Sequence, residues 1–151
     1  SAGLALGDEK SYVDEIFDVQ QTIANLGYEI QVASLNHQAG LFLGLEGADS
    51  KSGDQHAKDF WGASYRLTLT RHKTLTPYLL LSYFSSEYQG ENPVFGKTRA
   101  DESIHASAGL DYKLGPKLSL NASLGYTNTS SSLEIYEHDR LKIETQVQYG
   151  F

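Results

Sequence analysis

The chain has 151 residues, a length for one domain, and a formal net charge of -7, so it has no electrostatic grip on nucleic acid, which is not an expected partner. It has no cysteine, which excludes disulfides and thiolate metal sites. Tyrosine (10) and glycine (14) are abundant, and no apolar run approaches the roughly 18 residues of a spanning helix.

Alternation of apolar and polar residues recurs along the chain and predicts strands. A weak strand opens it at residues 3–7, Gly3-Leu4-Ala5-Leu6-Gly7. Stronger ones follow at 22–30, 39–46, 60–70, 75–84, 104–114, 118–127 and 141–151. Short connections fall at 33–37, 71–74 and 115–117, and long polar ones at 7–14, 47–59, 87–101 and 128–139. Residues 11–26 also admit an amphipathic helix, with Val13, Ile16, Phe17 and Ile23 in loose helical spacing. Ser1-Ala2-Gly3, in a chain without any Met, reads as a processed or excised start.

The last strand has the cleanest pattern. Leu141, Ile143, Val147, Tyr149 and Phe151 share one face, broken only by Thr145, and Lys142, Glu144, Gln146 and Gln148 share the other. One apolar face, one polar face and a terminal Phe resemble the final strand of bacterial outer-membrane barrels, which assembly machinery reads. The expectation is a single all-β domain over residues 1–151, an eight-stranded antiparallel up-and-down transmembrane β-barrel. An even strand count suits closure, and most strands approach the roughly 9–11 residues that cross a bilayer at a tilt. A mean hydropathy of -0.39 is compatible, because lumen and lipid residues cancel in any average. Long loops are then extracellular and both termini periplasmic. The expected partners are outer-membrane lipid and lipopolysaccharide, the barrel assembly machinery, and a protein met by the extracellular loops. Tyr28, Tyr65, Tyr112 and Tyr149 each sit near the end of an even-numbered strand. With Phe151 they form half of an aromatic girdle, although the β-propensity of tyrosine is a plainer account.

A soluble eight-stranded barrel such as a lipocalin turns its apolar face inward. Here the polar face carries Gly27, Gly40, Gly44, Gly62, Gly109 and Gly125, and glycine weakens a solvated strand. In a crowded lumen it makes room for large neighbours, and Phe42, Phe60, Arg66 and Tyr78 share that face. Glu29, Glu46, Arg66, Asp111, Lys113, Lys142 and Glu144 are expected to form a polar lumen network, with a solvated face as the plain alternative. Eight strands leave an interior just wide enough for side chains, so a plugged, non-conducting core is expected.

His105 and Ser107, two residues apart on one strand face, resemble the nucleophile motif of the outer-membrane lipid A deacylase. Such a serine needs an oriented imidazole, which that family secures with a Glu on the next strand. The corresponding position here is placed near Ser119, without a carboxylate, and the pair points inward, away from lipid. Polar lumen filling is the plainer role. His37, His56, His72 and His138 lie in turns or loops without metal-ligand spacing; His56 near Asp54 and Asp59 is a weak metal candidate, and a solvated loop the stronger reading. No phosphate-binding, dinucleotide or calcium-loop motif is present. No cofactor, metal or enzyme activity is expected.

The segment Asn92-Pro93-Val94-Phe95-Gly96-Lys97-Thr98-Arg99-Ala100-Asp101 mixes an aromatic with Pro, Gly and two cations. It suits a loop folded back over the barrel mouth by Phe95, or a partner-binding surface. Together with the Ser-rich stretch 128–140, which ends in Tyr136-Glu137-His138-Asp139-Arg140, it resembles the C-terminal end of the surface lipoprotein assembly modifier family and related outer-membrane barrels. Those barrels end in a similar Phe-Gly…Arg-x-Asp loop and a Ser-rich loop leading into Tyr-x-x-Asp-Arg. The likeness covers residues 92–151. The larger members add a periplasmic helical-repeat domain and further strands, neither of which lies within these 151 residues. The resemblance implies pairing of Arg99, Asp101, Asp139 and Arg140 between neighbouring loops, at about 0–1 kcal/mol for each exposed pair. It also implies a role as part of an export or transport barrel for surface lipoproteins or polymers. The leading expectation is a non-enzymatic anchor, scaffold or interaction protein; a lipid hydrolase built on His105 and Ser107 comes last.

Overall fold

Alternation over most of the chain gives one antiparallel sheet with two unlike faces. The computed structural model describes residues 2–11, 19–48 and 56–150, with 2–11 and 19 described by backbone alone. Seven strands follow each other in chain order: β2 (Val19–Val32), β3 (Leu35–Ala48), β4 (Lys58–Leu69), β5 (Leu75–Asn92), β6 (Lys97–Lys113), β7 (Leu118–Ser131) and β8 (His138–Tyr149). Each pairs antiparallel with the next. The backbone of β1 (Ala2–Ser11) lies along β2, with Gly3 opposite Gly27. A 3-10 turn at Glu134–Tyr136 precedes β8. The all-β, up-and-down order is the one the alternation predicts. The sheet does not close: among the described residues no pairing joins β8 to β1, and β8 is exposed along its whole length.

The strands run further than the alternation marks. β5 continues to Asn92 and β6 begins at Lys97, so the long loop expected at 87–101 is a hairpin closed by four residues, Pro93 to Gly96. β7 likewise continues to Ser131. Beyond the apolar band both faces of these strands are polar, so the period-2 hydrophobic signal fades while the backbone ladder continues. The five-residue connection expected at 33–37 shrinks to Ala33-Ser34, with Ala33 at φ 52°. Of the segment read alternatively as a helix, residues 19–26 are strand and 12–18 lie outside the described residues. So do residues 49–55 of the expected 47–59 loop, and Phe151.

One pairing row runs from Tyr28 near the turn end of β2 through Ala39, Tyr65, Leu81 and Ala106 to Tyr126. Tyr126 lies nearer the loop end of β7. The row therefore climbs across the sheet, the stagger that tilted strands require.

One face carries Leu41, Leu43, Leu45, Trp61, Leu79, Leu81, Ile104, Leu124, Leu141 and Ile143, all exposed, Ile143 to 76%. The other face is packed. Phe42, Phe60 and Phe84 from β3, β4 and β5 form an aromatic triangle with centroids 5.8–6.3 Å apart. Glycine makes it possible: a methyl on Gly44 would run into the Phe60 ring, and one on Gly62 into Phe42. Tyr78 lies over Gly109 in the same way. Contacts on this face reach across an intervening strand, as from Phe42 to Phe84 and from Tyr78 to Asn121. They are the contacts of a sheet coiled toward its packed face.

Candidate functional site

The most built-up part of the molecule is the loop end of β5 and β6. Past Glu87 the two strands shift register at a bulge, then pair only with each other, Glu91 with Thr98 and Asn92 with Lys97. The bulge turns Gln89 toward β4: its backbone N–H donates to Ala57 O (2.9 Å), and its side chain donates to Glu46 O (2.8 Å) and Asp59 Oδ1 (3.3 Å). At the tip, Asn92 Oδ1 accepts from the N–H groups of Val94 and Phe95 (3.0 and 3.3 Å), and Gly96 adopts φ 59°. This tight turn fixes Phe95 at the tip, 44% exposed beside Val94 at 81%.

Below the tip, Arg99 organises the base of the hairpin. Its guanidinium lies 3.4 Å from the Tyr136 ring centre and 4.8 Å from that of Tyr88. It also grips Asp101 with two nitrogens, Nε at 3.0 Å and Nη2 at 2.6 Å. Asp101 is 7% exposed and accepts a further bond from Ser131 Oγ (2.7 Å). Ser132 knits the next loop to β6, its Oγ accepting from Ala100 N–H and donating to Thr98 O. Leu133 is buried below it. Burial pulls the Arg99 guanidinium down, but the Asp101 hydrogen bond and the surrounding negative and phenolic groups outweigh it, and the net shift is upward. Burial holds the Tyr88 phenol above its ordinary value.

This geometry corrects the expected pairing between loops. Residues 97–101 are strand, so Arg99 and Asp101 share one face and pair with each other. Asp139 instead accepts from Asn128 Nδ2 (2.7 Å) and Tyr126 Oη (3.0 Å), both on β7, and those bonds lower its pKa. Arg140 makes no ion pair among the described residues. The sequence reading did not place Tyr88 and Tyr136 here; only the Tyr-x-x-Asp-Arg stretch hinted at the second.

The expected lumen charges lie on the packed face but in separate groups. Arg66 approaches Asp111 at 3.7 Å, and Lys142 pairs with Glu144 at 2.6 Å. Glu29 accepts from Asn36 (2.7 Å) and Gln38 (3.3 Å), and Glu46 from Gln21 (2.6 Å). The Lys113 backbone N–H donates to Thr74 O (2.8 Å), and its ammonium makes no hydrogen bond or ion pair among the described residues.

His105 lies opposite Thr127, not near Ser119, and its Nδ1 is 2.9 Å from Thr127 Oγ1. The turn between β6 and β7 sets this register, with Lys113 opposite Ser119. Ser107 lies opposite Gly125, and among the described residues no carboxylate is bonded to either side chain. No group of three or more His, Asp or Glu among the described residues is arranged to hold a metal; Asp54, the neighbour considered for His56, is outside them. Tyr28, Tyr65, Tyr112 and Tyr149 are all exposed on the apolar face, and Tyr65 Oη meets His37 Nδ1 at 2.7 Å.

These features define a coiled antiparallel sheet with an apolar exterior face, a filled interior face and a buttressed hairpin at one end. Residues 18–150 match the family described as Protein of unknown function (DUF2860), and the chain belongs to that family. No curated protein and no solved structure matches it.

Proposed function

We propose that the chain is an integral outer-membrane β-barrel with a plugged lumen, acting without catalysis as an anchor or interaction protein through its loop-end hairpin. One observation carries the reading. From β2 to β8 the large aliphatic side chains stand exposed on one face, while polar, aromatic and glycine residues pack the other. In water such a face is a large unpartnered patch; in lipid it is the solvated surface. This reading requires the open β8 edge to be paired in the membrane, because unpaired backbone groups cannot remain in hydrocarbon, and it assigns that pairing to β1. In this reading eight strands close, the short turns and both termini face the periplasm, and the hairpin and the 132–137 connection face outward. The exposed tyrosines meet lipid headgroups and lipopolysaccharide, and the terminal strand meets the assembly machinery. Val94 and Phe95 are the contact point for a protein partner.

Refolding in detergent tests the closed barrel. Unboiled protein is expected to migrate as a monomer with a mobility that changes on boiling. Unshifted mobility, or only large assemblies, would reject closure by this chain alone. A second reading, part of a larger export wall as the likeness of residues 92–151 implies, is favoured by the unpaired β8 edge. That second outcome is the one it expects.

A further inference from the structure

At the turn end of the packed face, three strands lay out two rows of polar side chains. Pairing aligns Asp111, Asn121 and Gln146 in one row, and Lys113, Ser119 and Gln148 in the next. They line a cleft of about 500 Å³ that opens to solvent. Its inner wall is Tyr78, packed over Gly109, and Arg66, whose guanidinium lies 3.8 Å from the Tyr78 ring centre. The only carboxylate lining this cleft is already engaged, because Asn121 Nδ2 donates to Asp111 Oδ1 at 2.6 Å. Arg66 lies 3.7 Å from the same group, beyond hydrogen-bond distance. Stacking positions the guanidinium, which keeps a long ion pair with Asp111 and makes no side-chain hydrogen bond among the described residues. The Lys113 ammonium, on the same face, has no partner among the described residues. The cleft thus holds one long ion pair, Arg66 with Asp111, and one ammonium without an ion pair, Lys113, among neutral amides and a hydroxyl, a net charge of one positive.

We infer that this cleft binds a small oxyanion, the carboxylate or phosphate group of a soluble solute entering from the turn end. Arg66 supplies a planar fork matched to two oxygens, and Lys113 a mobile point charge. Ser119, Gln146 and Gln148 add neutral donors around the rim. The layer of Phe42, Phe60 and Phe84 lies on the loop-end side of this cleft, so the cleft is approached from the turn end. The inference goes beyond the hairpin reading and rests on the pairing of β4 to β8, which both readings of the barrel share.

The detergent-folded chain, titrated by calorimetry with inorganic phosphate and separately with acetate at constant ionic strength, tests it. Saturable binding of at least one anion is expected. Binding should weaken about tenfold or more in Arg66→Gln and in Lys113→Gln, as expected for loss of one charge-assisted contact. It should be unchanged in Lys117→Gln, which removes a cation from the adjacent turn outside the cleft. Phosphate alone would identify a phosphorylated solute, and acetate alone a carboxylate. No saturable binding by the unmodified chain, or equal weakening in Lys117→Gln, would overturn the proposal. Should Arg66→Gln fail to fold, Lys113→Gln decides, since the Lys113 side chain bonds to nothing among the described residues.

Discussion

Ala33 occupies the left-handed region, φ 52°, in the two-residue turn between β2 and β3, a position that favours glycine. A side chain there costs about 1–2 kcal/mol, partly offset by the extra unfolded freedom of glycine. Ala33→Gly is expected to stabilise the folded chain by about 1 kcal/mol, measured by urea unfolding followed through Trp61, the single tryptophan. Gly44 presents the reverse case. The Phe60 ring fills the space a methyl needs, so Gly44→Ala should cost about 1–3 kcal/mol in the same assay. Adding Phe60→Leu should recover part of that loss, because the two substitutions act on one space. An undiminished loss in the double variant would place the strain in the backbone instead.

At the scale of the element, the β5–β6 hairpin is held by one arginine between two phenol rings. Arg99→Lys keeps the charge but loses the flat stack on Tyr136 and the two-point grip on Asp101. Faster proteolysis between residues 92 and 99 is expected for Arg99→Lys, and faster still for Arg99→Ala, with global unfolding little changed. The connection after β7 should respond to acid. The folded Asp139 carboxylate has a lowered pKa through bonds from Asn128 and Tyr126. Its contribution is complete above the ordinary carboxylate value and disappears as pH falls through the lower folded value. Hydrogen exchange over residues 134–140, compared across that range, should show this dependence, and Asp139→Asn should flatten it. These elements also mark the limit of what the sequence discloses. The faces of β3 to β8 are legible because large apolar side chains alternate strictly, and the glycines opposite Phe42, Phe60 and Tyr78 follow from that parity. The upper halves of β5 and β6 are not, because with polar residues on both faces strand and loop look alike. The Arg99 clamp is also hidden, since Tyr88 and Tyr136 join it across strands whose register the pattern does not specify. The same uncertainty of register put Ser119 where Thr127 stands beside His105.

For the whole molecule, the decisive matter is whether the packed face is a lumen and whether that lumen is shut. Three phenylalanines from adjacent strands meet within 5.8–6.3 Å at its middle, and each ring lies beside a glycine on a neighbouring strand. Closing eight strands around such a layer leaves no water column. The chain reconstituted in a planar bilayer should therefore carry no current above the lipid background. Cutting back the plug should change that. Phe42→Ala with Phe84→Ala removes two sides of the triangle and leaves Phe60 against Gly44, so small steady conductances should appear while the sheet persists. Conductance by the unmodified chain would instead mean that the β8 edge joins a wider wall, with the phenylalanine layer as only part of its lining.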